Sequence, residues 1–370
     1  EQEIKAISRL SDIEPAIKKY LAVSPLSKRH LSECPSGRLA ADNKPLLKPV
    51  VKNEPVLANI EITTRCNLVC KYCARSIYKK EACDMPREMF SNILDMLPHA
   101  YRVTLVGLGE PLLHPHIIDI IADASSRGRR VGIVTNAMSL DMALSKELIR
   151  AGLKSIAFSV DGSNQETASF VRQGTDFHRV IDNIKTFTEL SAFKKHISTA
   201  VFTAVSAKTF QHLEQLIDVV AQLGVKVLML SDLNFRQNVN DSLCKNADDR
   251  VKLTVKNAIT YAFLKKLPVL SVHGLEEFGL AKRYKNFLLL PPAQLYQRSA
   301  TRTYCCSPWQ TIPVDVHGIM TVCDCQPENI AGNLFARPFS EIWNGKTMVQ
   351  YRRRMLSLNP PAICKICPRF

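Results

Sequence analysis

Strand-like apolar runs alternate with amphipathic helical patterns between residues 58 and 230, and this alternation constrains the fold more than any other feature. The strand-like runs are Ala58–Ile62, Arg102–Val106, Val131–Thr135, Ser155–Val160, Thr199–Val205 and Val225–Leu230. The helical patterns are Arg87–Leu97, Ile117–Ser126, Met142–Ala151, Arg179–Leu190 and Phe210–Leu223. Because alternating strands and helices form parallel βαβ units, the sequence predicts an α/β sheet or an open barrel that binds ligands at the C-terminal strand ends.

Single residues mark where several of these elements end. Gly152 and Gly224 stand where a helix needs a left-handed residue before the next strand. Pro86 stands where a helix tolerates proline in its first turn. These signals support the predicted order of elements.

The chain divides into four expected segments. They are an N-terminal extension at 1–55, a barrel core at 56–235, a connecting helical and loop region at 236–304, and a small cysteine-rich domain at 305–370. Outside the core we expect helices at Ile13–Leu21 and Asp248–Lys265, and short strands at Thr311–Val316 and Ile319–Val322.

Composition excludes some classes of protein. No apolar run is long enough to cross a bilayer, and Glu1–Lys5 has no apolar signal region, so a cytoplasmic protein without a membrane partner is expected. The net charge of +15 favours an anionic partner without choosing one. The basic run Arg352–Arg354 is interpreted as a solvated helix face.

Twelve cysteines point to metal binding rather than disulfides, because a reducing compartment is expected. Most of them fall in two groups, one near residue 70 and one after residue 304. Three others, Cys34, Cys83 and Cys244, are interpreted as small buried apolar residues.

The first group has the spacing Cys66-x3-Cys70-x2-Cys73, directly after the first predicted strand. Three thiolates suit a cubane iron–sulfur cluster whose fourth iron has no protein ligand and can chelate a small molecule. The alternative is a zinc site with Cys83 as the fourth ligand, although zinc ligands usually come as paired Cys-x2-Cys units.

This motif, with Tyr72 just before its third cysteine, resembles the defining motif of the radical S-adenosylmethionine (SAM) superfamily. Gly107–Pro111 resembles the family's Gly-Gly-Glu-Pro element, although Leu108 interrupts it. The resemblance implies a partial (β/α)6 barrel of the TIM type, in which Gly109 and Glu110 hold the amino group of SAM and Tyr72 lies near its adenine. A carboxylate can pair with an ammonium group, and glycine lets the backbone approach the ligand.

Two further matches lie on later strands. Asn136 takes the family's ribose-contacting position, with strand-end capping as the alternative. Ser159-Val-Asp161-Gly162, followed by Arg172-Gln-Gly174, resembles a stretch in which the Ser and the Arg meet the methionine carboxylate. The planar fork of an Arg side chain can bind both oxygens of a carboxylate.

The second cysteine group resembles the opening of a SPASM/twitch extension, through Cys306-x11-Gly318-x4-Cys323 and the later Cys364-x2-Cys367. The resemblance implies one auxiliary [4Fe-4S] cluster held by Cys306, Cys323, Cys364 and Cys367. Cys305 could replace its neighbour as a ligand, and so could Cys325. A structural zinc bound by four thiolates is the alternative.

The family resemblance also implies the chemistry. A reduced [4Fe-4S] cluster cleaves SAM to a 5′-deoxyadenosyl radical, which abstracts hydrogen from an unactivated substrate carbon, and a reductase such as flavodoxin or ferredoxin supplies the electron.

The sequence leads us to expect a small polar metabolite as substrate, with peptide or protein maturation as the alternative. A zinc-stapled RNA-binding protein is a more distant alternative, and nucleic acid is not an expected partner because no aromatic platform accompanies the basic run. No general base can be named.

Overall fold

The computed structural model describes residues 48–52, 54–78, 81–194, 196–233, 239–243, 248–273, 296–298, 303–305, 307–357 and 359–365. The expected helix at Ile13–Leu21 lies outside these residues, as do Cys34, Cys244, Cys306 and Cys367. None of the helices in the described ranges has the length and apolar character needed to cross a membrane.

A ten-stranded sheet organises the described part of the chain. The strands are β1 Leu57–Ile60, β2 Val69–Cys70, β3 Arg102–Leu105, β4 Arg130–Thr135, β5 Ser155–Ser159, β6 Arg172–Gln173, β7 Ser198–Val205, β8 Val227–Asp232, β9 Val269–His273, β10 Tyr296–Arg298, β11 Thr303–Cys305, β12 Thr311–Val314, β13 Ile319–Thr321 and β14 Ile330–Asn333. The order of strands in the large sheet is β14-β13-β12-β1-β3-β4-β5-β7-β8-β9, and two short pairs, β2–β6 and β10–β11, lie outside it.

The predicted parallel strands are confirmed, in the order β1-β3-β4-β5-β7-β8. The structure adds a parallel neighbour at each end, β9 beside β8 and β12 beside β1. Sequence reasoning expected no strand at Val269–His273, because the alternation of strands and helices is lost around it. The C-terminal ends of all these parallel strands meet at one edge, where parallel α/β proteins place their chemistry.

Helices connect the strands, and the five predicted in the core are confirmed to within a few residues. The short helices Arg75–Tyr78 and Gln165–Val171 were not predicted. Gly152 and Gly224, at φ 98° and 68°, adopt the expected left-handed conformation. The helices are α1 Arg75–Tyr78, α2 Arg87–Met96, α3 Ile117–Ser126, α4 Met142–Arg150, α5 Gln165–Val171, α6 Phe177–Ser191, α7 Leu213–Ala221, α8 Asp249–Leu264, α9 Ser307–Gln310, α10 Phe339–Trp343, α11 Lys346–Leu356 and α12 Ala362–Lys365.

The C-terminal domain is joined to the barrel through the sheet and through one core. β12 pairs with β1 in register from Leu57↔Thr311 to Ile60↔Val314. A single hydrophobic cluster of buried residues runs from Ala58 to Cys364. The α/β partial barrel with a small β-hairpin and helix domain is therefore the architecture of the chain, as expected.

The interpretation of Arg352–Arg354 as a solvated helix face is wrong for Arg352, because its side chain is completely buried while Arg353 and Arg354 are exposed. Its guanidinium stacks on Trp343 at 4.2 Å and donates to the carbonyl oxygens of Pro308, Trp343 and Pro49, at 2.9, 2.8 and 3.2 Å. Arg352 thus holds the segment before β1 against the C-terminal domain. Three consecutive arginines are typical of a protein surface, so the sequence alone does not show that one of them is buried. The packing of α11 identifies Arg352 as that residue.

Candidate active site and cluster-binding residues

The loop that leaves β1 carries Cys66, Cys70 and Cys73, and all three side chains are partly buried. The short strand β2 pairs with β6, which sets Cys70 opposite Arg172. Burial raises the pKa of the Cys66 and Cys70 thiols, that of Cys70 to about 11, although the positive charge of Arg172 lowers the latter. Because iron binds thiolates, loading this site must displace protons.

Hydrogen bonds of a threonine side chain and an ion pair hold the cysteine loop in place. The Thr64 hydroxyl donates to the Glu81 carbonyl at 2.6 Å and accepts from the Cys83 amide at 2.8 Å. Arg65 pairs with Asp84 at 3.0 Å. Cys83 is partly buried and packs against the hydrophobic core, in general agreement with the interpretation of it as a small apolar residue.

Gly109 lies where two stretches of backbone touch. A Cβ atom at this position would lie 2.2 Å from the Thr63 carbonyl oxygen and 2.7 Å from that of Arg65. The Glu110 amide donates to the same Arg65 carbonyl at 2.7 Å. Only glycine therefore allows this loop to lie against the cysteine loop. At Leu108, which departs from the family element, the backbone amide donates to Glu61 at 2.6 Å.

Glu110 is buried at the end of β3, and its carboxylate accepts three hydrogen bonds. The Leu112 amide and the Thr135 hydroxyl donate to Oε1 at 3.1 and 2.7 Å, and the Asn136 amide donates to Oε2 at 2.7 Å. Burial raises the pKa of Glu110, against the effect of these donors. Glu110 therefore ties the end of β3 to the end of β4, and Oε2 keeps acceptor capacity for a ligand.

Asn136 connects β4 with the cysteine loop. Its side-chain amide donates to Asn67 Oδ1 at 2.8 Å, and its own Oδ1 accepts from the Met138 amide at 2.9 Å. Asn67 lies one residue after Cys66, so Asn136 contacts the cysteine loop. Sequence reasoning missed Asn67, because nothing in its local pattern shows that it pairs with a residue on another strand.

Asp161, two residues after Ser159 in the chain, forms an ion pair with Arg172. Ser159 is buried as the last residue of β5. Arg172 Nε lies 2.6 Å from Asp161 Oδ2, and a terminal nitrogen of Arg172 lies 3.9 Å from Cys70 Sγ. Burial is the largest single effect and would lower the pKa of Arg172, but the charge and hydrogen bond of Asp161 together with the charges of Cys70 and Cys73 outweigh it, and the pKa is raised. Arg172 is thus a fixed cation beside the cysteine loop.

Tyr72 donates from its hydroxyl to Asp241 Oδ2 at 3.0 Å. Asp241 belongs to a 3-10 turn after β8, and its main-chain oxygen accepts from the Ala207 amide at 2.9 Å. Tyr72 therefore links the cysteine loop to the far side of the barrel opening. Asp241 could not be found from sequence, because it falls in the region where the alternation of elements is lost.

The second cysteine group has four members among the described residues, and their thiols interact with one another. The Cys325 amide donates to Cys323 Sγ at 3.4 Å. The Cys325 thiol and burial raise the pKa of Cys323, to which Cys305 also contributes. Burial raises the pKa of Cys364, and Cys325 adds to this effect. These interactions link Cys305, Cys323, Cys325 and Cys364, and we call the four residues the C-terminal thiol cluster.

Both thiol sets fit iron–sulfur clusters in the chemistry of their donors. The barrel loop offers three cysteines and the C-terminal thiol cluster offers four, in partly or fully buried surroundings. In the parts of the chain that the structure describes, no three His, Cys, Asp or Glu side chains converge as the ligands of a single metal ion would. A cubane does not require such a point, because each thiolate binds a different iron.

Family comparisons agree with this arrangement. The model of the radical SAM superfamily matches residues 60–220, and that of the SPASM iron–sulfur cluster-binding domain matches residues 305–368. The chain combines a radical SAM domain with a C-terminal SPASM domain. This is the domain arrangement of a SPASM-type radical SAM enzyme, whose cofactors are SAM, the SAM-binding [4Fe-4S] cluster and an auxiliary iron–sulfur cluster.

Two relatives and one solved structure show how far the similarity extends. The tungsten-containing aldehyde ferredoxin oxidoreductase cofactor-modifying protein of Pyrococcus furiosus is 30% identical over 47% of this chain and 50% of its own length. The subtilosin biosynthesis protein AlbA of Bacillus subtilis is 24% identical over 78% of this chain and 60% of its own. Streptococcus suis SuiB, solved with its precursor peptide SuiA, shares the fold, with a TM-score of 0.61, 13% identity, and coverage of 85% of this chain and 76% of its own.

The chain spans half or less of the length of the first curated relatives that it matches, namely 50%, 25% and 49%. These partial matches do not establish its reaction, substrate or partners, which are proposed below.

Proposed function

We propose that this radical SAM enzyme modifies a ribosomally made peptide or a protein, as SPASM-type maturases do. The observation that carries the proposal is the match to AlbA, a bacteriocin biosynthesis protein, which extends over 78% of the chain. The match to the cofactor-modifying protein of Pyrococcus furiosus extends over only 47%. The comparisons thus favour the peptide alternative over the small polar metabolite that the sequence led us to expect.

The surface beside the cysteine loop supports a peptide substrate. Val69 and Phe170 are exposed there, and the Lys71 ammonium lies 4.0 Å from the centre of the Phe170 ring. Apolar side chains next to a cation suit a chain that carries both apolar and acidic residues. The net charge of +15 favours an acidic peptide further.

The proposed cofactor site takes the role of each residue from the family resemblance. Cys66, Cys70 and Cys73 ligate the first cluster, while Arg172 and Ser159 bind the carboxylate of SAM. Gly109 and Glu110 receive its amino group, Asn136 its ribose, and Tyr72 its adenine. When bound, the cluster and SAM supply a 5′-deoxyadenosyl radical that abstracts hydrogen from the substrate. Asp161 holds Arg172 in place, and a flavodoxin or ferredoxin supplies the electron.

The proposed auxiliary site uses Cys323 and Cys364. The remaining ligands come from Cys305 and Cys325, whose charges act on Cys323 or Cys364, or from Cys306 and Cys367, which the family pattern implies. Replacing Cys323 and Cys364 together with Ala tests this site: loss of about four iron atoms per chain supports an iron–sulfur cluster, whereas loss of zinc with iron unchanged contradicts it.

Deuterium transfer tests the substrate class and does not require the substrate to be identified first. The organism that encodes the chain is grown in deuterated medium, and its extract is separated into a small-metabolite fraction and a peptide and protein fraction. Each fraction is incubated anaerobically with the reconstituted enzyme, SAM and dithionite, and 5′-deoxyadenosine is analysed by mass spectrometry. Deuterium from the peptide and protein fraction alone supports the proposal. Deuterium from the small-metabolite fraction alone would contradict it, and Cys70→Ala, which should form no 5′-deoxyadenosine, is the control.

A further inference from the structure

A buried chain of hydrogen bonds ends on one sulfur of the C-terminal thiol cluster. The Tyr351 hydroxyl lies 3.2 Å from Cys364 Sγ, and both residues are buried. The Gln326 side-chain amide donates to the Tyr351 oxygen and lies 3.6 Å from the same sulfur. Gln326 Oε1 in turn accepts from the side-chain amide of Asn329.

The orientation of the two side-chain amides sets the direction of the bonds in this chain. Asn329 Nδ2 donates to Gln326 Oε1, so Gln326 Nε2 points towards Tyr351 and Cys364. The Tyr351 oxygen accepts from Gln326, which leaves its hydrogen directed at the Cys364 sulfur.

The surroundings keep this donor from exchanging readily with water. Gln326 is only 2% exposed and Tyr351 only 8%. The Gln326 backbone amide also donates to the Cys323 carbonyl at 2.9 Å, which fixes the residue to the loop that carries a second sulfur of the same cluster. In such a buried place a hydrogen bond to a charged acceptor is stronger than one at the surface.

We propose that Tyr351, oriented by Gln326, donates a hydrogen bond to the Cys364 sulfur and thereby raises the reduction potential of the auxiliary cluster. The inference rests on the proposed function in one respect, the assignment of Cys364 as a ligand of that cluster. An electron added to an iron–sulfur cluster increases the negative charge on its sulfurs. A donor pointed at a sulfur stabilises that charge, and hydrogen bonds to the sulfurs are among the features that set cluster potentials. Tyr351 is thus a positioning and tuning residue, and it need not touch the substrate.

The experiment measures the potential of the auxiliary cluster alone. Cys66, Cys70 and Cys73 are replaced with Ala in one background, so that the remaining iron belongs to the auxiliary site. Tyr351→Phe is added, and the midpoint potential is measured by a redox titration with dithionite and mediators, followed by electron paramagnetic resonance. We expect a more negative midpoint in Tyr351→Phe and a smaller shift in the same direction in Gln326→Leu.

Tyr261→Phe is the matched control, because it removes a tyrosine hydroxyl that donates to Asp218 at 2.8 Å on the outer helices, and it should leave the potential unchanged. A loaded cluster with an unchanged potential in Tyr351→Phe would overturn the inference alone. A background variant that binds no iron would instead overturn the proposed auxiliary cluster, and the inference with it.

A spectroscopic measurement separates the tyrosine hydrogen from other donors near the cluster, such as the Cys325 amide. In the same triple-alanine background, unfolded and reconstituted in deuterated water, electron–nuclear double resonance should detect an exchangeable deuteron coupled to the reduced auxiliary cluster that Tyr351→Phe lacks. Identical deuteron spectra of the two loaded proteins would contradict the hydrogen bond.

Discussion

The guanidinium of Arg172 and the carboxylate of Asp161 form an ion pair with 2.6 Å between Nε and Oδ2. The same Asp161 accepts from the Ala204 amide at 2.7 Å, so the pair is anchored to the neighbouring strand β7. Arg172 consequently presents its terminal nitrogens towards Cys70, 3.9 Å away, rather than to solvent. The Asp161 carboxylate thus fixes the Arg172 guanidinium, which is proposed to bind the carboxylate of SAM.

Replacing Arg172 with Ala should weaken SAM binding by about 10- to 100-fold, because a hydrogen bond to a charged group contributes about 1.5–3 kcal/mol. Asp161→Asn should have a smaller effect in the same direction, since Arg172 stays but loses its anchor. Equilibrium binding of SAM to the reconstituted enzyme measures both. Arg150→Ala, at an exposed position on α4, is the control, and equal affinity in Arg172→Ala would remove the carboxylate-binding role.

Gly109→Ala should lower iron content and SAM affinity together. The added Cβ would lie 2.2 Å from the Thr63 carbonyl oxygen, so the loop must move away from the cysteine loop. Iron analysis and SAM binding measure the effect. Gly128→Ala is a useful comparison, because nothing lies within 4 Å of its Cβ position even though its backbone is left-handed, and it should leave both properties unchanged. Normal iron and affinity in Gly109→Ala would show that the close contact is not needed.

Arg352→Lys should lower the free energy of unfolding by about 2 kcal/mol, because an ammonium cannot stack on Trp343 and bond three carbonyl groups at once. Chemical denaturation measures it, with the exposed Arg353→Lys as control, for which a change within about 0.5 kcal/mol is expected. Equal stabilities of the two variants would contradict the account of Arg352 as the residue that holds the segment before β1.

His114 should make the enzyme less stable in mild acid. Burial lowers its pKa from the ordinary value of 6.5, while its Nε2 donates to the Met85 carbonyl at 2.9 Å and its Nδ1 accepts from the His116 amide at 3.1 Å. Since the unfolded chain binds this proton more readily, the contribution of His114 is present above pH 6.5 and is lost as the pH falls through the lower folded value.

The pH dependence of the unfolding free energy measures this contribution. His114→Gln should flatten the curve below pH 6.5. An unaltered curve for His114→Gln would show that the buried ring does not couple proton binding to folding.

The sequence predicts the barrel well because its signals are local. Each parallel strand is an apolar run between two helical patterns, and Gly152 and Gly224 mark where helices end. The cysteine motif, Glu110 and Asn136 each follow the end of a parallel strand, so their meeting at one edge can also be foreseen. The family resemblance, rather than composition, supplies their proposed roles.

The sequence does not reveal what depends on contacts between distant parts of the chain. The pairing of β12 with β1 joins residues about 250 positions apart. Asn67, Asp161 and Asp241 become site residues only through partners on other elements, and Tyr351 becomes relevant only beside Cys364. The burial of Arg352 also depends on distant partners, because a run of three basic residues by itself predicts solvent exposure.

The central claim is that the cysteine loop and the C-terminal thiol cluster each hold an iron–sulfur cluster in an enzyme that cleaves SAM. The most direct measurement is anaerobic reconstitution with iron and sulfide, followed by iron analysis and an assay of 5′-deoxyadenosine formed with dithionite. The account predicts about eight iron atoms per chain and 5′-deoxyadenosine formation in the wild type. In Cys70→Ala it predicts loss of about four iron atoms and no 5′-deoxyadenosine. Bound zinc with little iron and no 5′-deoxyadenosine from the wild type would contradict it.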